Sequence, residues 1–151
     1  MHRRYALVSA VATLVVAGLG TSTSAQADLT FGEATNLGPI INSESGEGSP
    51  TISADGLELY FGSDRADGSG GSDLWVSTRP STDAEWSAPV NLGPVVNSEK
   101  SESTPSISAD GLELFFSDWG DPRPGGHGSV DLWVTTRASK DDAWGEPVNL
   151  G

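Results

Sequence analysis

The stretch "SPTISADGLELYFGSD" (residues 49–64) recurs in this chain as "TPSISADGLELFFSDW" (residues 104–119). The repetition extends over two gapless blocks with 18 and 14 identities, residues 36–62 onto 91–117 and residues 73–93 onto 131–151. The extra residues of the second copy fall between the blocks, in a glycine- and proline-rich stretch, where an insertion indicates a loop. The sequence therefore predicts one structural unit that is built twice.

Each copy has the pattern of short β-strands separated by turns. In the first copy, Ala54-Asp55-Gly56 is a tight-turn signature that predicts a hairpin between the strands on either side. Pro89 removes a ladder donor, so the last segment is expected at a sheet edge. No segment beyond residue 27 shows a sustained helical period, which predicts an all-β protein. The expected strands of this copy are residues 51–53, 57–61, 73–78 and 86–92.

The predicted strands carry large side chains on both faces. Leu59 and Phe61 alternate with Tyr60, and Leu74 alternates with Trp75. A sheet with one face in water would expose some of these side chains, whereas a sheet stacked between neighbours buries them all. The expected fold class is therefore all-β, with antiparallel four-stranded blades stacked as a partial β-propeller.

The segments "SPTISADGLELYFGSDR", "GGSDLWVSTR" and "WSAPVNLG", echoed in the second copy, resemble the WD40-like β-propeller repeat of TolB-type and other bacterial envelope proteins. The resemblance covers nearly all of residues 31–151 and implies a propeller fold and an exported protein. It implies no catalytic residue, because this scaffold has many uses. The chain departs from the pattern in having longer repeats than the usual ~40 to 45 residues and fewer than the ~4 to 8 blades that close a ring.

The N-terminus has the pattern of a secretory signal peptide. Arg3 and Arg4 precede an apolar run from residue 6 to 19, which is short for a membrane span, and small residues follow up to Ala27. We expect cleavage after Ala27 and a periplasmic or secreted protein. The predicted domains are a signal peptide (1–27) and a partial propeller (28–151), with a leading strand (about 30–38), repeat 1 (about 39–93) and repeat 2 (about 94–151).

Two repeats are too few to close a propeller, and three explanations are open. The chain is a fragment of a larger propeller, or it assembles with copies of itself into a closed ring, or it stands alone as two packed sheets with exposed flanks. The predicted leading strand, which parallels residues 143–150, is expected to complete the sheet of another unit.

Charge and cysteine content narrow the classes of partner. The formal charge of −13 becomes −15 when Arg3 and Arg4 leave with the signal peptide. Such an acidic surface argues against nucleic acids and anionic lipids as partners. The sequence contains no cysteine, so disulfides and cysteine-based metal or nucleophile chemistry are excluded. Cations are the more plausible small partners of such a surface, and the macromolecular partner that we expect is a protein or a glycan.

Two unrepeated residues of the second glycine-rich loop are the candidate ligand contacts, Trp119 and His127. Trp75 and Trp133 lie at equivalent places within strands, which indicates packing. Trp86 and Trp144 are also repeated, and are expected to be structural.

Acidic side chains cluster around both loops, and flexible acidic loops can bind calcium. Their spacing fits no calcium motif, and turn formation explains them without a metal, so no cofactor is expected and calcium is the one alternative. The residues concerned are Asp64, Asp67 and Asp73 in the first loop, and Asp118, Asp121 and Asp131 in the second.

Catalytic patterns are weak. No Gly-x-Ser-x-Gly elbow occurs, and His127 has no predicted triad partners. Residues 81–89, "STDAEWSAP", resemble an aspartate-box turn of sialidases, but with too short a spacing. We therefore predict a noncatalytic interaction module without a catalytic residue. The alternative is a fragment of a larger propeller-containing hydrolase, sialidase-like or peptidase-associated, or of an envelope protein.

Overall fold

The computed structural model describes residues 32–121 and 123–151, so the predicted signal peptide lies outside the described residues. The described residues form eight strands and no helix. These strands make two four-stranded antiparallel sheets, each from one copy of the repeat. The prediction of an all-β protein with four-stranded antiparallel sheets is confirmed. Neither sheet closes on itself, and the two together form no closed ring.

Both sheets are simple meanders in which neighbours in sequence are neighbours in space. Sheet A consists of β1 (Glu47–Ile52), β2 (Glu58–Ser63), β3 (Asp73–Thr78) and β4 (Val90–Asn91). Sheet B consists of β5 (Ser101–Ile107), β6 (Glu113–Trp119), β7 (Leu132–Thr136) and β8 (Val148–Asn149).

The predicted hairpin turn is present in both sheets. The Gly56 amide donates to the Ser53 carbonyl at 2.8 Å, and Gly56 has a φ of 74°, a conformation that favours glycine. The Ser53 hydroxyl accepts the Glu58 amide at 2.9 Å. Ser108 and Gly111 repeat the backbone hydrogen bond at 3.0 Å. The short polar turn residues therefore set the same register in both copies.

The first strand of each sheet begins earlier than the sequence indicates. β1 starts at Glu47, where the expectation was residue 51, and its register shifts between Gly48 and Thr51. Ser49 lies at this bulge with a φ of 51°, and its counterpart Thr104 has the same angle. The extension is polar and glycine-rich, so hydrophobic alternation gives no sign of it.

The last strand of each sheet is shorter than predicted but lies at the predicted edge. Only Val90–Asn91 and Val148–Asn149 belong to the ladders, at the outer end of each strand order. Pro89 lies just before β4 and has no amide to donate. Trp86 lies outside the ladder and packs its side chain on the core.

The predicted leading strand is not present where the structure describes it. Residues 32–38 have no strand assignment, and residues 30 and 31 lie outside the described residues. This segment parallels the fourth strand of a repeat, and sheet A already has β4 at that edge. The leading segment therefore has no vacant place in sheet A.

Two apolar cores lie on the two faces of sheet A. The central core lies between the sheets and contains Tyr60, Leu74, Val96, Leu114, Phe116 and Trp133. The outer core covers the other face of sheet A and contains Ile41, Leu59, Phe61 and Trp75. The expectation that sheet A buries large side chains on both faces is confirmed, as is the packing role of Trp75 and Trp133.

Candidate functional site

The two sheets stack through unlike faces. Leu59, Phe61 and Trp75 of sheet A correspond by sequence to Leu114, Phe116 and Trp133 of sheet B, and we call this the front face. Tyr60, Leu74 and Val76 form the back face of sheet A. The central core joins the back face of sheet A to the front face of sheet B. The front of sheet A and the back of sheet B therefore point outward, and we call them flank A and flank B.

Flank A is partly covered by the segment that precedes β1. Ile41 from this segment is buried against Leu59, Phe61 and Trp75. A groove of about 110 Å³ remains beside it, with walls that are mainly apolar. Its lining includes Leu37, Ile41, Pro50, Leu59 and Phe61. Flank A is thus a formed concave surface rather than an exposed core.

Flank B is an apolar surface that the described residues leave partly exposed. Phe115 and Val134 are paired across β6 and β7, so they share this face. Leu132 and Val148 of sheet B are also exposed, as is Leu150 just after β8. An apolar group of this kind on a small protein commonly marks a contact surface.

An arginine side chain packs against the aromatic rings of the outer core at flank A. The Arg65 guanidinium donates to the Ile41 carbonyl at 2.8 Å and pairs with Glu47 at 2.9 Å. Its central carbon lies about 5.1 Å from the Phe61 ring centre. Partial burial raises the pKa of the Glu47 carboxyl, but hydrogen bonds from Ser43 and the charge of Arg65 outweigh it and hold that pKa below its ordinary value.

The central core contains the same arrangement, built by Arg123. Its guanidinium donates to the Val96 carbonyl at 3.0 Å and lies 3.6 Å from Glu102. Its central carbon is 4.7 Å from the Trp133 ring centre. Burial raises the pKa of Glu102 above its ordinary value, against the hydrogen bonds from Ser98 and the charge of Arg123.

The gapless alignment of the two copies does not pair Arg123 with Arg65. The gapless pairing places Gly120 opposite Arg65, and the extra residues of the second loop displace the arginine by three positions. Residue type could have indicated the equivalence, because Arg123 is the one arginine of that loop.

Ion pairs join the two sheets at one end of the central core. Arg137 donates two hydrogen bonds to the Glu58 carboxylate, the shorter at 2.8 Å, and Lys140 contacts Asp55 at 2.5 Å. The hydrogen bond from Lys140 holds the pKa of Asp55 well below its ordinary value. Beside these pairs the rings of Tyr60 and Trp144 meet edge to face, with their centres 6.1 Å apart.

An asparagine from the linker between the sheets binds the backbone of sheet A. The Asn97 side chain accepts the Leu74 amide at 2.8 Å and donates to the Leu74 carbonyl at 3.0 Å. It also donates to Asn91 at 2.9 Å. Asn42 is the counterpart of Asn97 in the first copy, and it is exposed. Its side chain donates to Asn36 at 3.0 Å, which repeats the Asn97 to Asn91 contact.

The first glycine-rich loop covers the junction between the sheets. A β-carbon at Gly70 would collide with the backbone of Lys100, so this approach requires glycine. The Gly71 amide donates to the Lys100 carbonyl at 2.9 Å, and the Glu102 amide donates to the Ser72 carbonyl at 2.7 Å. The loop is thus part of the contact between the sheets.

The two predicted ligand contacts lie in the second loop and on the surface. Trp119 ends β6 and is 66% exposed, where it lines a shallow depression with Gly120, Ser129 and Val130. His127 is exposed, and its backbone amide donates to Asp131 at 2.7 Å. No hydrogen bond joins the two residues in the part of the chain that the structure describes. Their role in ligand binding stays a prediction.

Several carboxylates of the proposed calcium loops bind backbone amides. Asp73 accepts the Gly70 amide at 3.2 Å and the Asn91 side chain at 2.7 Å. Asp118 accepts the Asp131 amide at 2.7 Å. Within residues 32–121 and 123–151 no group of three or more metal-ligating side chains is placed to hold an ion. Calcium binding stays an untested alternative to the expectation of no cofactor.

Comparisons with known proteins do not assign the chain to a family. No protein-family profile, curated protein or solved structure matches the chain. Among the residues that the structure describes, no helix is long and apolar enough to cross a membrane.

Proposed function

We propose that the chain is an exported, noncatalytic interaction module of WD40-like propeller repeats, and that it binds a partner protein through flanks A and B. The proposal rests on a difference between the back faces of the two sheets. The back face of sheet A is buried under sheet B, whereas the equivalent face of sheet B is an exposed apolar surface. A partner at flank B would provide the cover that sheet B provides for sheet A.

The way the sheets stack supports the propeller part of the proposal. Neighbouring blades of a propeller are four-stranded antiparallel meanders that pack face against face around an axis. Sheets A and B are two such meanders, and each presents its front face in one direction and its back face in the other. This directional stacking can continue at both ends.

The proposal of a noncatalytic module is supported by the hydrogen bonds and ion pairs of the carboxylate side chains. The Asp55 and Asp110 carboxylates accept the amides of their own turns, at 3.1 Å each. Glu47 and Glu102 pair with the arginines that close the two cores. These groups are engaged in local structure, so binding through the apolar flanks is the function that the geometry favours.

Photocrosslinking in the native host tests the proposal. Ile52 pairs with Leu59 across β1 and β2, so it lies on flank A, and it is 50% exposed. A benzophenone amino acid is placed at Leu132 on flank B, at Ile52 on flank A, or at Val148, and the chain is expressed with its leader. Leu132 and Val148 have nearly equal exposure, 61% and 62%, but the counterpart of Leu132 is buried within the chain and the counterpart of Val148 is not.

We expect adducts from Leu132 and Ile52 and few from Val148, with the adducts found in the envelope or medium after removal of the leader. An absence of adducts from both flank positions would contradict the proposed function. Mass spectrometry of the adducts identifies the partner.

A further inference from the structure

The contact between the two sheets shows which kind of surface packs on a back face, and flank B is a second back face. The back face of sheet A, which carries Tyr60, Leu74 and Val76, is covered by the front face of sheet B. Flank B carries their counterparts Phe115, Leu132 and Val134. The surface that covers the first set is a front face, and the molecule has a second front face at flank A.

Flank A corresponds in turn to the surface that receives the back face in the central core. Leu59, Phe61 and Trp75 match Leu114, Phe116 and Trp133, and Ile41 takes the place of Val96. Trp86 packs on the outer core as Trp144 packs on the central core. Both halves of the internal contact are therefore present again, one on each flank.

The charges at the two flanks are complementary in the same way. Arg137 binds Glu58 across the central core, and the counterparts of these residues are Arg79 on sheet A and Glu113 on sheet B. Arg79 is held as Arg137 is held, with its Nε donating to the Gly56 carbonyl at 2.8 Å. Among the described residues of 35–121 and 123–151, no carboxylate lies within 4.0 Å of Arg79.

The Arg79 guanidinium also lies 4.3 Å from the Trp86 ring centre, as that of Arg137 lies 4.5 Å from Trp144. Arg79 is thus preorganised for a carboxylate from another chain. Lys140 has no equivalent, because Thr82 stands in its place, so one of the two internal ion pairs would be missing.

The asparagine contact can also be repeated between molecules. Asn97 binds the backbone of Leu74 from the linker that precedes sheet B. Asn42 lies in the equivalent linker that precedes sheet A, and Leu132 is the counterpart of Leu74. Asn42 is exposed but already holds the side-chain contact to Asn36 that Asn97 makes to Asn91.

Resting on the proposed function, we infer that the partner is a second copy of this chain, docked head to tail with flank B of one copy on flank A of the next. The contact repeats the central core, with Phe115, Leu132 and Val134 entering the groove beside Ile41 and with Glu113 binding Arg79 of the other copy. Such a contact joins unlike surfaces, so it forms rings when the rotation closes and open chains of molecules when it does not.

Sedimentation velocity of the purified chain over a wide range of concentration tests the inference. We expect multiples of the single-chain mass that grow with concentration. Leu132→Asp is expected to weaken association by roughly a hundredfold, because it places a carboxylate where a leucine would be buried. Val148→Asp is the matched control. It lies on the same face with the same exposure, but its counterpart Val90 remains 63% exposed beside the central core.

A mixing experiment tests the head-to-tail arrangement. Leu132→Asp inactivates flank B and leaves flank A intact, whereas Ile52→Asp inactivates flank A and leaves flank B intact. Each variant alone is expected to be monomeric, and an equimolar mixture is expected to form a dimer of one of each, with one native contact. Thermal melts at low concentration check that the exposed substitutions leave the fold intact.

The outcomes separate this inference from the function on which it rests. A monomeric wild-type chain at all concentrations overturns self-docking. Association that only one of the two variants removes overturns the head-to-tail contact in favour of like flanks meeting. If the chain is monomeric but Leu132 crosslinks to a different protein in the host, the interaction module stands and the second copy as partner falls.

Discussion

Tyr60 in sheet A and Phe115 in sheet B occupy the same position of the repeat, yet Tyr60 is 1% exposed and Phe115 is 37% exposed. Their strands have the same register with the neighbouring strand, since Tyr60 pairs with Val76 and Phe115 pairs with Val134. The difference arises because sheet B covers Tyr60. The repeat thus determines which face of a sheet is suited to burial, and the next sheet in the stack determines whether it is buried.

The paired glutamates show the same contrast in their electrostatics. Glu47 and Glu102 each accept a serine hydroxyl at 2.5 Å and each pair with an arginine. Glu102 is fully buried between the sheets and has a raised pKa, whereas Glu47 lies beside flank A and has a lowered one. The two glutamates therefore acquire opposite pKa shifts from their surroundings, although each has a serine and an arginine as partners.

The largest expected difference between the two sheets is in the aromatic residues of the back faces. Tyr60→Ala is expected to lower the free energy of unfolding by about 3 to 5 kcal/mol, because it opens a cavity in the central core. Phe115→Ala is expected to lower it by roughly 1 kcal/mol in dilute solution, since the ring is partly in water. Urea denaturation at low concentration measures both values. Equal losses would contradict the difference in cover.

The linker asparagines give the next largest difference. Asn97→Ala leaves the buried Leu74 amide without its side-chain acceptor and is expected to destabilise the chain by about 1 to 3 kcal/mol. Asn42→Ala removes an exposed contact, and a loss within about 0.5 kcal/mol is expected in dilute solution. Thermal unfolding compares the two, and a large effect of Asn42→Ala in a monomer would contradict the assignment.

A smaller difference is expected between the glutamates of the two back faces. Glu58→Gln weakens the bond to Arg137 and is expected to destabilise the chain by about 1 kcal/mol. Glu113→Gln is expected to leave stability unchanged in dilute solution and to weaken association at high concentration. Paired denaturation and sedimentation measurements check this, and the reverse ranking of the two variants would count against a head-to-tail contact that repeats the central core.

The pH dependence gives the smallest and most local difference. The raised pKa of Glu102 means that the folded state favours its protonated form, so this group's contribution to stability falls as pH rises from its ordinary pKa of 4.5 through the folded value. Glu47, with a lowered pKa, contributes stability above its ordinary value of 4.5 and loses it as pH falls through the folded value. NMR titration of the carboxyl carbons should give a pKa below 4.5 for Glu47 and a pKa above 4.5 for Glu102.

Association adds a sharper form of this test. In the head-to-tail contact Glu47 becomes the equivalent of Glu102, so its pKa is expected to rise as the chain associates. A Glu47 titration that is independent of concentration in an associating chain would show that flank A is not the contact.

The sequence predicted those parts of the fold that local chemistry encodes. The third strand has the predicted bounds, Asp73–Thr78, because it alternates large side chains between two polar turns. The hairpin around Gly56 followed from the turn residues. The burial of Trp75 and Trp133 followed from their repetition within strands.

The parts that were not predicted depend on contacts between distant segments. β1 extends back to Glu47 through small polar residues that carry no strand pattern. Arg123 is separated from its aligned position by a loop insertion, so its equivalence to Arg65 is visible only from the cores that both close. Asn97 looks like an ordinary turn residue in sequence, and its bond to Leu74 spans the linker between the sheets.

The candidate site shows the same division. Trp119 and His127 are the predicted ligand contacts because the first copy contains no counterpart of either, and both are exposed in the structure. The sequence did not predict flanks A and B as binding sites, because repetition of their residues indicates packing in a core. Which repeated residues remain uncovered depends on the number of stacked sheets, and the sequence pattern of a single repeat does not contain that number.

The most direct test of head-to-tail docking is an isotope-filtered NOE experiment on a mixture of labelled and unlabelled chains. Docking of flank B on flank A predicts NOEs between the methyl groups of Leu132 and Val134 in one copy and the ring protons of Phe61 and Trp75 in the other. NOEs from those methyl groups to flank B of the second copy, or no intermolecular NOE at concentrations where the Phe115 ring stays in water, would contradict it.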